Sequence, residues 1–239
     1  MEERTMERLD KRLAGTGLWS RKEAKDLVRA GRVTVNGAVC RSSEEKVEES
    51  AVIAVDGNPV TGESMAYLLL HKPAGVVSAT EDTRDKTVLD LLPERYQKMG
   101  LFPVGRLDKD TEGLLLLTND GPLAHRLLAP RRHVDKVYYL EVDGVLDGVD
   151  CEACRSGIQL ADGYTCLPAE LEICPGGTAG YLTICEGKYH QVKRMMASRG
   201  KPVTYLKRVA FGPLKLEEEL EKGCWRALTE EEKQALFRQ

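Results

Sequence analysis

Gly105-Arg-Leu-Asp-Lys-Asp-Thr-Glu-Gly-Leu-Leu-Leu-Leu-Thr-Asn-Asp-Gly121 sets a densely charged loop directly against four consecutive leucines and closes them with a turn. Leu114–Leu117 predict a short strand buried on both faces. The loop is thereby mounted on a rigid core element, a placement that holds a reactive group in position. In an extended run Arg106 and Asp108 share a face, so a cation is expected beside Asp108, favouring the carboxylate over the acid. Such a carboxylate can attack an electrophilic sugar carbon and split one difficult step into two. Two other readings stay open. The alternating charges can be a surface ion-pair network, or Asp108, Asp110 and Glu112 can be oxygen ligands for magnesium, as in a metal-dependent nuclease. The flanking Arg106 and Lys109 weigh against the metal.

Outward from this segment, the chain after Ala66 shows short apolar strands, turn residues and few helical stretches, which predicts an α+β fold. Strands are expected at Tyr67–Leu70 and Lys136–Val142, the second with Lys136, Tyr138, Leu140 and Val142 on one face. Leu171–Cys174 and Tyr181–Cys185 predict a hairpin around Pro175–Gly180. Helices are expected at Val88–Leu92, Pro122–Leu128 and Gln191–Arg199.

Toward the amino end the pattern changes. Met6, Leu9 and Leu13 recur at helical spacing until Gly15 and Gly17. Ser20 and Glu23 form a capping box for a second helix, Arg21–Ala30, on which Arg21, Lys25 and Arg29 align along one face. Asn36-Gly37 and Asp56-Gly57 supply hairpin turns. A helix carrying aligned cations can follow a nucleic-acid backbone, each cation neutralising one phosphate. Residues 1–60 therefore read as a small basic domain, residues 61–65 as a polar linker, and residues 66–239 as a larger domain.

The 239 residues carry a net charge of −3. That total hides segregation: residues 1–43 carry +4, residues 125–136 carry +3, residues 186–208 carry +6, and the other 161 residues carry −16. Basic islands on an acidic body suit local contact with a polyanion. Arg126, Arg131, Arg132 and Lys136 make one candidate phosphate row. No apolar run approaches the ~20 residues of a membrane span, and Met1–Arg12 alternates Glu and Arg, so neither membrane insertion nor export is expected. Seven cysteines read as free thiols of a reducing cytoplasm. Cys151-Glu-Ala-Cys154 has zinc-knuckle spacing without a second close pair, so no zinc is expected. No phosphate-binding glycine loop and no GxSxG elbow occurs.

The stretches Arg8-Leu-Asp-Lys-Arg-Leu-Ala-Gly-Thr-Gly17, Ser20-Arg-Lys-Glu-Ala24 and Gly31-Arg-Val-Thr-Val-Asn-Gly37 resemble the S4 RNA-binding module over most of residues 6–55. Gly105–Gly121 resembles the signature of the pseudouridine synthases, in the ribosomal branch that carries an S4 module in front. Leu69-Leu-His-Lys-Pro-Ala-Gly-Val-Val-Ser78, Lys136-Val-Tyr138 and Glu186-Gly-Lys-Tyr-His-Gln-Val-Lys-Arg-Met195 match the same family in the same order. The resemblance implies an S4-like domain followed by a synthase domain with a mixed, mostly antiparallel sheet. It implies Asp108 as catalytic aspartate, Tyr138 as the aromatic that stacks on an extruded base and a candidate for removing the C5 proton, and Lys193 or its neighbour Arg194 as basic partner of the aspartate. RNA contacts are expected from Arg8, Arg21, Lys22, Lys25, Arg29, Arg32, Arg106, Lys188, His190 and Gln191.

The resemblance implies no cofactor and no metal, and it implies ribosomal RNA as the partner, expected to be bound by a cytoplasmic monomer either as naked RNA or within an assembling small subunit. The spelling of residues 186–195 most resembles the enzymes that modify uridine 516 of 16S RNA; relatives acting on 23S RNA tend to show Arg where His190 stands. The rival from another class is a non-catalytic S4-type RNA-binding or assembly protein.

Overall fold

A computed structural model describes residues 6–61, 64–129 and 134–239. The chain divides into two compact units. One comprises residues up to Tyr67 together with Leu89–Phe102 and Leu117–Asp120; the other comprises Leu68–Val88, Pro103–Leu116 and Gly121–Gln239. Among the described residues no helix is long and apolar enough to cross a membrane.

In the first unit, helices Leu9–Gly15 and Arg21–Arg29 enclose a core of Leu9, Leu13, Ala24, Leu27, Val28, Val33, Cys40, Val47, Ile53 and Val55. Each buried leucine or valine here contributes about 1.5–3 kcal/mol. The capping box is present: Ser20 N donates to Glu23 Oε2 at 2.6 Å and Glu23 N to Ser20 Oγ at 3.3 Å. The hairpins Val33–Val35/Ala38–Val39 and Ile53–Val55/Asn58–Pro59 turn at Asn36-Gly37 and Asp56-Gly57, all four at positive φ. Met6 departs from its helical expectation. Met6–Arg8 is a strand paired with Lys46–Glu48, and Arg8 remains extended as the residue that starts the helix. Ala30 caps the second helix and is not part of it. Of the expected linker, Gly62 and Glu63 lie outside the described residues.

The second unit is built on a nine-stranded sheet. Its main path runs Glu170–Ile173, Ala179–Ile184, Lys136–Val142, Val203–Phe211, Glu112–Thr118, Tyr67–Lys72, Trp225–Ala227 in space. Val203–Phe211 pairs parallel with Glu112–Thr118 and antiparallel with Lys136–Val142. Every residue of Glu112–Thr118 is buried, as the run of leucines demands. Gly113 is required there: a Cβ would stand 2.1 Å from the Arg208 carbonyl oxygen on the parallel neighbour.

The expected helix at Val88–Leu92 is a single 3-10 turn, Leu89–Leu91, in the first unit. The other two expected helices appear as Gly121–Leu128 and Gln191–Ser198, Arg199 serving as cap. Cys151 and Cys154 lie on a helix, Gly148–Ser156, started by an Asp147/Asp150 capping box. Cys151 Sγ donates to the Leu171 carbonyl, and burial first, then Cys151 and Asp150, pushes the Cys154 thiol up to about 11. All seven thiols are free.

Candidate active site

The loop before Glu112–Thr118 is fixed from beneath. Lys72, fully buried at the end of its strand, donates through Nζ to the carbonyls of Pro73 (2.9 Å), Lys109 (3.3 Å) and Thr111 (2.8 Å). Gly75 N donates to the same Lys109 carbonyl, and Ser78 Oγ both donates to Leu107 O and accepts from Leu107 N. Thr111 N donates to Asp108 O, closing a turn at Lys109-Asp110 that leaves the Asp108 carboxylate at the surface of the loop. Lys72 and Ser78 are functional candidates the sequence reading did not single out. The available signal was a lysine at the end of an otherwise apolar strand, a position where a long cation is either exposed or spent on carbonyls.

The helix Gln191–Ser198 meets this loop. Lys193 Nζ stands 3.2 Å from Asp108 Oδ2 and 2.6 Å from Asp110 Oδ1, and His190 Nε2 lies 3.5 Å from Asp108 Oδ1. A cation in the first turn of a helix opposes the macrodipole, and here two carboxylates compensate it. Burial works against the Lys193 charge, but the bonds to Asp110 and Asp108 outweigh it and hold its pKa above the usual lysine value. Asp110 is held below the ordinary carboxylate range by the same bond to Lys193. Arg194 turns away, to Asp162 Oδ2 at 2.5 Å and the Tyr189 carbonyl. Arg106, the cation expected beside Asp108, lines a cleft with it and makes no ion pair among the described residues.

Tyr138, 8% exposed, and Asp108 line one recess of about 80 Å³ with Thr111, Val192 and Leu206. That recess adjoins a cleft of about 990 Å³ whose walls include Asp108, Arg106, Lys136, Lys188, Tyr189 and His190. His190 sits at φ +48, a left-handed conformation uncommon for a side chain with Cβ, and stacks on Tyr189 with ring centroids 3.8 Å apart. Gln191 is buried, and its amide is taken by Glu186 Oε1 and the Lys188 N–H, which shapes the loop. Lys188 Nζ lies over the Tyr164 ring. The three acids considered as magnesium ligands diverge, for Glu112 accepts from Tyr205 and pairs with Lys222 while the aspartates share Lys193.

The cations of the first unit are unequal. Asp10, fully buried, collects Arg8 in a two-pronged pair (3.0 and 2.9 Å), Arg21 at 3.5 Å and Lys25 at 3.9 Å. Arg29 faces Asp26 at 3.7 Å and Arg32 is held by both oxygens of Asp56. Lys22 is exposed and makes no ion pair among the described residues. In the other expected phosphate row, Arg126 donates to the Phe237 carbonyl and Lys136 is buried within its strand, while Arg131 and Arg132 lie outside the described residues.

Two families match the chain. The family described as S4 domain matches residues 7–53 and the one described as RNA pseudouridylate synthase matches residues 66–198. An uncharacterized RNA pseudouridine synthase of Bacillus subtilis (strain 168), YtzG, is 47% identical over 229 residues, which is 94% of this chain and 96% of its own. Ribosomal small subunit pseudouridine synthase A of Vibrio cholerae serotype O1 is 40% identical over 232 residues, 97% of this chain and 100% of its own. Among solved structures, a crystal structure of a pseudouridylate synthase aligns with a TM-score of 0.68 at 36% identity, covering 96% of this chain and 99% of the other.

Proposed function

Because this chain belongs to the RNA pseudouridylate synthase family, we propose that it converts one uridine of small-subunit ribosomal RNA, uridine 516 of 16S RNA, to pseudouridine, with Asp108 as the catalytic carboxylate. Residues 1–60 act as the S4-like RNA anchor, residues 61–65 as the linker and residues 66–239 as the catalytic domain. The matched ranges 7–53 and 66–198 support that division.

The reaction breaks the N1–C1′ bond, turns the uracil over and joins C5 to C1′; the proton leaves C5 and one is gained at N1, so no co-reactant is needed. A stacked base is out of reach, and the enzyme must extrude it into a pocket. The observation that carries the reading is the single recess shared by Asp108 and Tyr138, with Lys193 on the carboxylate. A uracil entering it meets the carboxylate at its ribose and the tyrosine ring at its face, and Tyr138 serves as acceptor for the C5 proton. The small-subunit assignment draws on the Vibrio cholerae relative's name and on His190 beside Asp108, at the position where relatives acting on 23S RNA tend to carry Arg.

The test is to map pseudouridines in 16S and 23S RNA from a strain lacking this gene. Loss at one uridine of 16S RNA, restored by the wild-type chain, is expected. Loss confined to 23S RNA overturns the small-subunit target, and no loss anywhere overturns the enzymatic reading.

A further inference from the structure

Two cations are buried on the cleft side of the sheet without a carboxylate among the described residues. Lys136 is 9% exposed, lines the cleft, and among the described residues donates to the carbonyls of Val134 (2.6 Å) and Cys185 (3.4 Å). Arg208 is 2% exposed; its Nε donates to Leu114 O at 2.8 Å, and one terminal guanidinium nitrogen is buried with no hydrogen-bond partner among the described residues. The two sit on one aromatic ring, the Arg208 guanidinium 5.3 Å and the Lys136 ammonium 5.7 Å from the Phe211 centroid. Arg208 is the cross-strand partner of Tyr138, and Lys136 is two residues before it on the same strand face. Among the described residues neither cation makes an ion pair. Burial first, then the Arg208 charge, pushes the Lys136 pKa down against the weaker pull of Cys185, Asp135 and Glu186, and Glu186 is already occupied by Tyr164 and Gln191. Burying two like charges with no counterion is costly. A cost maintained beside a cleft wall marks a place where negative charge arrives during the reaction.

Resting on the reading above, we propose that Lys136, supported by Arg208, stabilises the uracil as an anion once it has left the ribose. Heterolysis of N1–C1′ sends the bonding pair into the ring, where it spreads over N1, O2 and O4. The anion must survive while the ring turns, and then attack C1′ through C5 as that carbon loses its proton. An ammonium on the cleft wall next to Tyr138 lowers the energy of this species without moving any atom. Arg208, the cross-strand partner of Tyr138 on the same face, adds its positive charge to the potential at this wall.

The test compares leaving groups. Single-turnover rates are measured on a short target RNA holding either uridine or 5-fluorouridine at the modified position, whose fluorine acidifies N1 and stabilises the departing anion by itself. Lys136→Met is expected to slow the uridine substrate about 100-fold and the 5-fluorouridine substrate, read as rearranged fluoronucleoside after digestion, less than a tenth as much, with Lys136→Arg recovering most of the loss. Equal losses on both substrates overturn the proposal while leaving Asp108 in place. Thermal unfolding supplies a second readout independent of activity. Lys136→Met is expected to melt at or above the wild-type temperature, since an uncompensated buried charge is removed; a clearly lower melting temperature makes Lys136 a structural group and overturns the proposal even if wild-type protein isomerises no RNA.

Discussion

Lys193 Nζ bridges Asp108 Oδ2 at 3.2 Å and Asp110 Oδ1 at 2.6 Å, so one ammonium fixes both carboxylates of the loop that projects into the cleft. Arg194, its neighbour in sequence, is committed to Asp162 on the other side of the helix start.

Replacing the bridge should therefore separate two adjacent cations by function. Lys193→Met is expected to lower kcat by about 100-fold with a small change in KM, since it removes an electrostatic partner of the proposed catalytic carboxylate. Arg194→Met, losing a partly exposed pair, should stay within about threefold of wild type. Steady-state kinetics on a target RNA fragment checks both, and the reverse ranking would assign the partner role to Arg194.

Lys72 gives a pH prediction. Burial pushes its ammonium down to about 8, against the pull of Asp110, Asp108 and Glu112. From there up to the free value of about 10.4 the unfolded chain holds the proton and the folded chain does not, so this group's contribution to stability grows with pH across that window. Loop order runs the other way: the neutral amine has two N–H donors for three carbonyls. Turnover is expected to fall as pH rises through about 8, with faster hydrogen exchange at the Thr111 amide, which donates to Asp108 O. A flat profile between pH 7 and 9 would show that the loop does not depend on Lys72.

The S4-like cations should differ in their salt signatures. Lys22 makes no ion pair among the described residues and can meet a phosphate, whereas Arg32 is already held by Asp56. Lys22→Gln is expected to reduce the slope of log affinity against log salt by about 0.9 in a filter-binding titration, and Arg32→Gln by clearly less. Equal slopes for the two variants would place RNA elsewhere on the domain.

The parts of this fold governed by local chemistry were legible in the sequence. Ser20 with Glu23, Asn36-Gly37 and Leu114–Leu117 each specify their own backbone through capping, turn geometry and burial. Val203–Phe211 was missed because Lys207 and Arg208 interrupt its alternation, and Arg208 is buried with its Nε donating to a strand almost a hundred residues away. The helix Gly148–Ser156 was hidden by its cysteines, whose spacing drew attention to metal when three-residue separation also fits one helical face. At the site, the motif indicated Asp108, Tyr138 and a basic partner at Lys193 or Arg194. It did not reveal Lys72 beneath the loop or the choice between Lys193 and Arg194, because both depend on where a turn and a helix start meet in space.

The central claim, that Asp108 performs the chemistry, is tested most directly by tritium release from RNA labelled at uracil C5, for wild type and Asp108→Asn, with RNA binding measured in parallel. Wild type should release tritium with or without a chelator. Asp108→Asn should bind the RNA as wild type does and lose turnover by on the order of 1,000-fold or more. Turnover in the Asn variant equal to wild type would contradict the account.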